Sequence, residues 1–383
     1  MRRLLVPFMS SFLILSSLAA EAAEPIKIGV SLGLSGRYSE MAHMQSEAFT
    51  LWAGDVNSRG GILGRKVDII IYDDKSDPQT AKSLYEHLIT QDKVDLLFAP
   101  YSSELTDAVA PLFEQYGYPT IASGASSDRL WQKGYKQLFG IISPASRFTV
   151  GFVEMLVQYG FTDVAIVYAG DDPFPTDIAL GSKKWIEEFG LKVRLFSGFK
   201  KGTKNFDSLV KKARESHAQV LMVCGYFDEA VQARQSLKRT GWYPNVYYAS
   251  VGPTIPAYHE RLGPDADYTF SSALWEPHNK IPGSEEFYAE FIKSYGHKPS
   301  YHSAEAYAAG EVIERAIKKA GSLDREKIRE VLSAMQTTTI LGRYGVDKTS
   351  RQVKHFPLII QWQNGRKEIV WPKNLSTAKP IFK

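Results

Sequence analysis

The segment Val94–Ser126, VDLLFAPYSSELTDAVAPLFEQYGYPTIASGAS, determines the fold class. It begins with an apolar run of strand length, continues with apolar residues at helical spacing over 105–116, and ends in a second short apolar run. Two parallel strands need a helical crossover between them, so this pattern predicts a β-α-β unit. The residues that follow the two strands then lie at one edge of a parallel sheet, where open α/β folds bind ligands.

Small hydroxyl residues follow both predicted strands of this unit. The first group is Tyr101, Ser102 and Ser103, and the second group is Ser123, Ser126 and Ser127. Backbone N–H groups at a helix start attract a carboxylate, and nearby serines add hydrogen-bond donors without adding charge. We therefore expect two loops that converge on one anion-binding crevice. The alternative is that Ser103 only caps its helix and Ser126 only occupies a turn.

Strands alternate with helices of 10–15 residues on both sides of this unit, which predicts parallel α/β architecture throughout. The pattern runs from 26 to 143, pauses at Pro144 and restarts, continuing to 249. The fold class is therefore α/β, with two doubly wound, Rossmann-like lobes in tandem.

The last hundred residues follow a different pattern. Three helices are predicted at 285–295, 304–319 and 325–335, and they have no new sheet to cover, so we expect them to pack on the first lobe. Asn364-Gly365 lies between two apolar runs and is a strong signal for a two-residue hairpin turn. We assign this hairpin to the second lobe.

Composition and charge exclude several classes of function. The chain has 383 residues and a formal charge of +4, and its Lys and Arg residues are scattered, so no nucleic-acid partner is indicated. The eight histidines lack metal-binding spacing and the sequence contains one cysteine, so we expect no metal site and no cofactor. That cysteine, Cys224, lies in an apolar run and is expected to be a buried core residue without a disulfide.

The N-terminus has the order of a secretory signal peptide. Two arginines precede an apolar stretch over 4–20, and Ala20-Glu21-Ala22 follows as a small-residue cleavage site. We expect a signal peptide at 1–23, cut near Ala22 or Ala23, and a periplasmic protein. No cysteine follows to accept a lipid, so a lipoprotein is not expected. A retained membrane anchor is the alternative, but the stretch is short and contains several serines.

Several motifs together resemble a known family. They are Ile28-Gly29-Val30 through Leu34-Ser35-Gly36, Asn57-x-x-Gly60-Gly61-Ile62-x-Gly64, Tyr72-Asp73-Asp74 with Asp77-Pro78, and the two serine-rich loops. The sequence resembles the type I periplasmic solute-binding proteins of ABC importers, in particular the leucine/isoleucine/valine-binding branch. The resemblance extends from about residue 25 to the last hairpin, and NSRGGILGRKV is its most specific part.

The resemblance implies a fold, a function and a set of ligand-binding residues. Two lobes joined by three crossings are implied, with 24–143 and 273–342 in the first lobe and 144–272 and 343–383 in the second. A monomer is expected to capture a small-molecule ligand by closure and to deliver it to membrane permease subunits. Carried over by position, the ligand-binding residues are Ser103, Gly124, Ser126, Phe174 and Tyr226, with Ser102 and Tyr101 in the wall.

One position departs from the family pattern. Amino-acid binders of the family place an acidic residue after the strand that corresponds to 247–249, where it pairs with the ligand's ammonium. This chain has Ser250-Val251-Gly252 there. Because a buried ammonium without a counter-charge is costly, either Asp228 or Glu229 replaces the acid, or the ligand has no ammonium.

Aromatic residues near the predicted loops suggest an apolar cage for the body of the ligand. The candidates are Tyr38, Tyr101, Phe174, Tyr226, Phe227 and Trp275. The alternative is that half of them are ordinary core residues. Arg37 next to Tyr38 is expected to be a solvated loop residue, and its alternative role is to pair with a ligand carboxylate.

Two other classes of function remain open at this point. Gly29-Val30-Ser31-Leu32-Gly33 matches the G-x-S-x-G pattern of hydrolases, but that motif requires the serine on a turn between strand and helix. Asp73-Asp74 at a strand end are expected to be hydrated loop carboxylates rather than a metal site.

We expect a receptor rather than an enzyme. The second class of function that remains open is a sensor that couples the same closure to chemoreceptor or kinase signalling.

Overall fold

The computed structural model describes residues 24–383. The predicted signal peptide at 1–23 lies outside this part of the chain. Among the helices between residues 24 and 383, none is both long and apolar enough to cross a membrane.

The first sheet has five parallel strands in the order β2-β1-β3-β4-β5. These strands are β1 (Ile26–Leu32), β2 (Val67–Asp73), β3 (Leu96–Phe98), β4 (Thr120–Ala122) and β5 (Leu138–Gly140). The helices between them are α1 (Ser39–Ser58), α2 (Pro78–Thr90), α3 (Ser103–Tyr116) and α4 (Asp128–Gln132). The β-α-β unit predicted from the sequence is β3-α3-β4. Helix α3 begins at Ser103, two residues before the predicted start at 105. The prediction began too late because the first turn of the helix is polar and has no apolar periodicity.

The second sheet has seven strands in the order β14-β13-β10-β9-β8-β6-β7. Five are parallel: β6 (Asp163–Ala169), β7 (Lys192–Phe199), β8 (Val220–Cys224), β9 (Val246–Ala249) and β10 (Thr269–Ala273). Its helices are α5 (Val150–Gln158), α6 (Pro173–Glu188), α7 (Asp207–Glu215), α8 (Phe227–Thr240) and α9 (Pro256–Leu262). Cys224 is buried at the end of β8, as predicted, and burial raises the pKa of its thiol.

The C-terminal hairpin consists of β13 (Leu358–Gln363) and β14 (Arg366–Trp371), which are antiparallel and extend the second sheet beside β10. The turn residues Asn364 and Gly365 have φ values of 50° and 72°. Positive φ at both central residues is what a type I′ hairpin turn requires, so the turn prediction is confirmed.

Between β10 and this hairpin come three helices and a small strand pair. They are α10 (Ser284–Tyr295), α11 (Tyr301–Ala320), α12 (Arg325–Ala334), β11 (Thr337–Thr339) and β12 (Gly342–Tyr344). Helix α11 packs on α1, where Gly310 lies against the indole ring of Trp52 and a Cβ on that glycine would be 2.2 Å from Trp52 Cδ2. The Tyr307 hydroxyl also donates to Asp55 Oδ2 at 2.6 Å. Both contacts hold α11 against the helix that follows β1.

We call the five-stranded sheet with α1–α4 and α10–α12 the first lobe, and the seven-stranded sheet with α5–α9 the second lobe. Arg37, in the loop after β1, contacts Asp172 after β6 and Glu229 after β8. The carboxyl ends of the parallel strands of the two sheets therefore face one another across a cleft.

Candidate ligand-binding cleft

The two serine-rich loops of the first lobe are hydrogen-bonded to each other. Ser103 is the first residue of α3, and its Oγ accepts the backbone N–H groups of Ser126 and Ser127, each at 3.0 Å. The loops after β3 and β4 therefore converge, as the sequence predicted. The alternative, that Ser103 only caps its helix, does not account for these bonds, because they connect α3 to the loop after β4.

Three serine hydroxyls in these loops are buried without a protein partner among residues 24–383: those of Ser102, Ser123 and Ser126. A buried hydroxyl without a hydrogen bond is unfavourable, and such groups in a native protein usually meet water or a ligand. These hydroxyls are therefore available as donors at the place where the sequence predicts a carboxylate.

Gly124 lies between Tyr101 and Gln45. An added Cβ would be 2.3 Å from Tyr101 Cδ2 and 2.8 Å from Gln45 Nε2, so a side chain at position 124 cannot coexist with the present position of Tyr101. The glycine thus allows the Tyr101 ring to pack directly against the loop backbone.

An aromatic wall joins the two lobes. The ring of Tyr38 lies 5.6 Å from the ring of Tyr101 in its own lobe and 5.1 Å from the ring of Tyr226 in the other lobe, both in edge-to-face geometry. Phe174 continues the wall, with its ring 5.6 Å from that of Tyr226. Burial raises the pKa of Tyr101 and Tyr226 well above the ordinary value, so these phenols are neutral. The wall is apolar with neutral hydroxyl groups.

Two other candidate cage residues do not belong to this wall. The Phe227 ring faces the Arg261 guanidinium, whose central carbon is 5.5 Å from the ring centre. The Trp275 ring packs against Phe287, and its Nε1 donates to Ser284 Oγ at 3.0 Å. Both side chains are buried core residues. Spacing along the chain could not separate them from the cage residues, because all of them follow buried strands.

Arg37 is not a solvated loop residue, so that expectation is wrong. Its Nη1 lies 3.2 Å from Asp172 Oδ2, and its Nη2 lies 3.1 Å from Glu229 Oε1. Its side chain is 20% exposed, and the guanidinium carbon is 4.8 Å from the centre of the Tyr226 ring. Arg37 therefore links the lobes through two buried acids and an aromatic face.

The two acids bound by Arg37 are positioned by their own helices. Asp172 is the N-cap of α6, and its Oδ1 accepts the Phe174 N–H at 3.3 Å. Glu229 accepts the Gly202 N–H at 2.8 Å and the Tyr226 N–H at 3.0 Å. Burial raises the pKa of Asp172 to about 6, although Arg37 acts in the opposite direction. Asp172 was not among the residues predicted from the sequence to lie at the site. The available signal was an Asp directly before a Pro, a pair that is typical of a helix start.

A second ion pair crosses the cleft near its rim. Lys201, after β7, pairs with Glu104 in the first turn of α3, and both side chains are partly exposed. Glu104 Oε2 also accepts a hydrogen bond of 3.3 Å from the Tyr38 hydroxyl. With the Arg37 contacts, this pair shows that the lobes are in a closed arrangement.

The candidates for an ammonium counter-charge occupy other positions. Asp228 is exposed, and Glu229 is bound by Arg37. Ser250 stands where an acid was expected from the family pattern, and its hydroxyl donates to the Gly225 carbonyl at 2.8 Å. Ser250 therefore fixes the loop after β8.

Ser31 does not form a nucleophile elbow, because it lies within β1 rather than on a turn. Its Oγ donates to Asp74 Oδ2 at 2.7 Å. Asp74 is fully buried, so the prediction of hydrated carboxylates at 73–74 is wrong for this residue, and burial raises its pKa to about 6. The Ser31–Asp74 pair joins β1 to the end of β2.

Two facing α/β lobes that close over an aromatic, hydroxyl-lined cleft define a solute receptor rather than an enzyme site. The chain belongs to the periplasmic binding protein family, whose model matches residues 25–367. This confirms the resemblance and the fold class inferred from the sequence. The family consists of solute-binding proteins, not enzymes, and its members are typically exported to the periplasm.

The relatives agree with this assignment. Leu/Ile/Val-binding protein homolog 8 of Brucella abortus (strain 2308) is 27% identical over 405 residues, covering 100% of this chain and 99% of the relative. A leucine-binding protein of Thermotoga maritima has a TM-score of 0.83 at 20% identity, covering 90% of this chain and 97% of its own. A solute-binding protein of R. palustris, solved in complex with benzoate, has a TM-score of 0.79 at 16% identity, with 94% and 97% covered. Because these two solved structures are only 20% and 16% identical to this chain, they establish the shared fold alone.

Proposed function

We propose that the protein is an exported receptor that captures an amino acid or a small aromatic carboxylate by closure of its lobes. It then delivers this solute to the membrane permease of an ABC importer. The proposal is supported by the hydroxyl-lined loops and the aromatic wall, and by two related proteins, a Leu/Ile/Val-binding protein homolog and a solute-binding protein solved with benzoate.

The proposed site has two parts. The loops of the first lobe hold the ligand carboxylate through Ser103, Ser126, Ser102 and the backbone at Gly124. The aromatic residues Tyr38, Tyr101, Phe174 and Tyr226 enclose the body of the ligand. Because a carboxylate is an acceptor, donation by neutral hydroxyl and N–H groups satisfies it without a second buried charge.

The charge arrangement around Arg37 favours an aromatic carboxylate over an amino acid. The buried carboxylates of Asp172 and Glu229 both pair with Arg37, and Glu229 also accepts two backbone N–H groups. A ligand ammonium would have to compete with the guanidinium for these acids. Burying an ammonium without its own counter-charge costs several kcal/mol, so a ligand without an ammonium fits this cleft better.

Capture and delivery then follow from a population shift. The ligand contacts both lobes only in the closed form, so its binding free energy favours closure, and the permease recognises the closed shape. In this proposal the protein acts as a monomer, with 24–143 and 273–342 moving as one lobe and 144–272 and 343–383 as the other.

A thermal-shift panel tests the ligand class. Branched-chain amino acids, aromatic carboxylates and short amides are each added to the mature protein, and the melting temperature is measured. A bound solute at 100 times its dissociation constant should raise the free energy of unfolding by about 2.7 kcal/mol. We expect aromatic carboxylates to give the largest shifts. A larger shift with leucine would contradict the argument from Arg37, and no shift with any solute would contradict the proposed function.

Replacing Gly124 by alanine is expected to weaken binding of the best solute at least about tenfold, because the new Cβ displaces the Tyr101 ring. The measurement is isothermal titration calorimetry. Gly54→Ala is the matched control, since a Cβ on Gly54 in α1 would have no other atom within 4 Å. The control should bind normally and be slightly more stable, as expected for alanine in a helix. Equal affinity of both variants would place Tyr101 outside the ligand site.

A further inference from the structure

A buried polar cluster lies behind Tyr101 in the first lobe. Gln45 of α1 donates from Nε2 to Glu305 Oε1 at 2.8 Å, and His302 Nδ1 is 3.2 Å from the same oxygen. Gln45, His302 and Glu305 are each at most 1% exposed. These three residues, which we call the α1–α11 polar cluster, come from two helices that pack against each other.

Each member of this cluster has a polar atom without a hydrogen-bond partner among residues 24–383. The atoms are Gln45 Oε1, His302 Nε2 and Glu305 Oε2. Three such atoms on side chains that contact one another are unusual, because nearly all buried polar side-chain atoms in native proteins are paired. Burial raises the pKa of Glu305 well above its usual value and lowers that of His302 to about 3, so burial disfavours the charged form of each side chain.

The α1–α11 polar cluster is continuous with the ligand-binding cleft. The His302 ring lies 5.4 Å from the Tyr101 ring, whose other side faces Tyr38 and Tyr226. Gly124 lies directly against the Gln45 amide. The unpaired Ser123 and Ser126 hydroxyls flank Gly124, so unpaired polar groups extend from the loops of the cleft to the cluster.

We propose that the α1–α11 polar cluster is a second subsite, which binds an uncharged hydrogen-bonding group of the ligand, such as a hydroxyl. The captured solute would then be a small carboxylate whose apolar or aromatic body also carries a hydroxyl. A neutral hydroxyl can both donate and accept, which matches a cluster whose unpaired atoms include an amide oxygen, a carboxyl oxygen and an imidazole nitrogen. A second charged group would not be compensated there. This inference rests on the proposed function and narrows its ligand class.

Matched ligand pairs test the subsite. Benzoate is compared with its three monohydroxy isomers, and phenylalanine with tyrosine, by isothermal titration calorimetry on the mature protein. A site that is built to hydrogen-bond a hydroxyl strongly rejects the analogue that lacks it. We expect one hydroxylated ligand to bind at least about 100-fold more tightly than its parent.

Substitutions in the cluster test whether its side chains cause this preference. Glu305→Leu and His302→Phe should each reduce the preference for the hydroxylated ligand to less than about tenfold, because each removes a hydrogen-bonding partner. Glu305→Gln is the conservative control, since an amide keeps the size of the side chain and a hydrogen-bonding group at each end of it, and it should keep most of the preference. The melting temperature of each variant is measured without ligand as a control for folding. The preference is a ratio of two affinities measured on the same variant, so it does not depend on the fraction of the protein that is folded.

The outcomes separate this inference from the proposed function. If every pair binds with equal affinity, or if the preference survives in Glu305→Leu and His302→Phe, the cluster is not a ligand subsite. A crystal structure of the complex that shows only ordered water at the three unpaired atoms of the cluster would also overturn it. If no carboxylate of the panel binds, the proposed function fails and this inference fails with it.

Discussion

The variant Arg37→Met should bind the best solute about 100-fold more weakly than the unchanged protein. In the closed form, Arg37 is the cation that pairs with both Asp172 and Glu229, which are buried in the second lobe. Removing one side of a buried ion pair costs about 3 kcal/mol or more, because the remaining charge is left uncompensated, and this corresponds to about two orders of magnitude in affinity. In an open form water can hydrate the two acids, so the penalty falls on closure.

The matched control is Lys201→Met, which removes a more exposed ion pair between the two lobes. The Lys201 and Glu104 side chains are 37% and 25% exposed, and exposed pairs of this kind contribute about 0–1 kcal/mol. We expect this variant to lose less than about fivefold in affinity. If both variants lose the same amount, the buried position of Arg37 has no special role in closure.

A rescue variant separates a role in closure from a direct contact with the ligand. Asp172→Asn and Glu229→Gln, added to Arg37→Met, remove all three charges. The new amide oxygens can still accept the Phe174 N–H and one of the two N–H groups, of Gly202 and Tyr226, that Glu229 accepts through separate oxygens; both of these bonds lie within the second lobe. Closure of this triple variant needs no charge compensation, so its affinity should recover to within about tenfold of the unchanged protein. If the triple variant stays as weak as Arg37→Met, the guanidinium binds the ligand directly. Small-angle scattering with and without solute reports closure in each case.

The role of Arg37 also shows what the sequence could not provide. The β-α-β unit, the two lobes and the converging serine loops could be predicted, because apolar periodicity and the positions of polar residues at strand ends are local features of the sequence. The partner of a loop arginine is not local. Arg37 is 135 residues from Asp172 and 192 residues from Glu229, and only the relative position of the two lobes brings them together.

The partners of the aromatic residues also could not be predicted from the sequence. The rings of Tyr38, Tyr101, Phe174 and Tyr226 pack against one another where the lobes meet, whereas Phe227 packs against Arg261 and Trp275 against Phe287. Tyr226 is the N-cap of α8 and Phe227 is its first residue, so adjacent residues at one helix start have different partners. Such a difference depends on where each helix begins, and helix starts are poorly defined by periodicity alone.

Ser103→Ala and Ser126→Ala should both weaken binding, but only Ser103→Ala should lower the melting temperature without ligand. From the sequence the two serines are equivalent, and both variants would be expected to keep their ligand-free stability. The structure distinguishes them. Ser103 Oγ accepts the N–H groups of Ser126 and Ser127, whereas Ser126 Oγ is buried and has no partner within residues 24–383.

The expected sizes follow from these contacts. Ser103→Ala leaves two buried N–H groups without their acceptor, which costs about 1–3 kcal/mol of stability and lowers the melting temperature by several degrees. Ser126→Ala removes an unpaired hydroxyl, so its ligand-free stability should be equal or slightly higher. If Ser126 donates to the ligand carboxylate, its loss costs about 1.5–3 kcal/mol, which is about 10- to 100-fold in affinity.

Calorimetric titration and thermal melts of the two variants check this difference. Ser58→Ala serves as a control, because the Ser58 hydroxyl is exposed at the end of α1 and bonds only to the nearby Asp55 carbonyl. Normal affinity in Ser126→Ala would remove that residue from the carboxylate site. Unchanged melting of Ser103→Ala would mean that its two backbone hydrogen bonds do not hold the loops together, so the carboxylate site would form only around the bound solute.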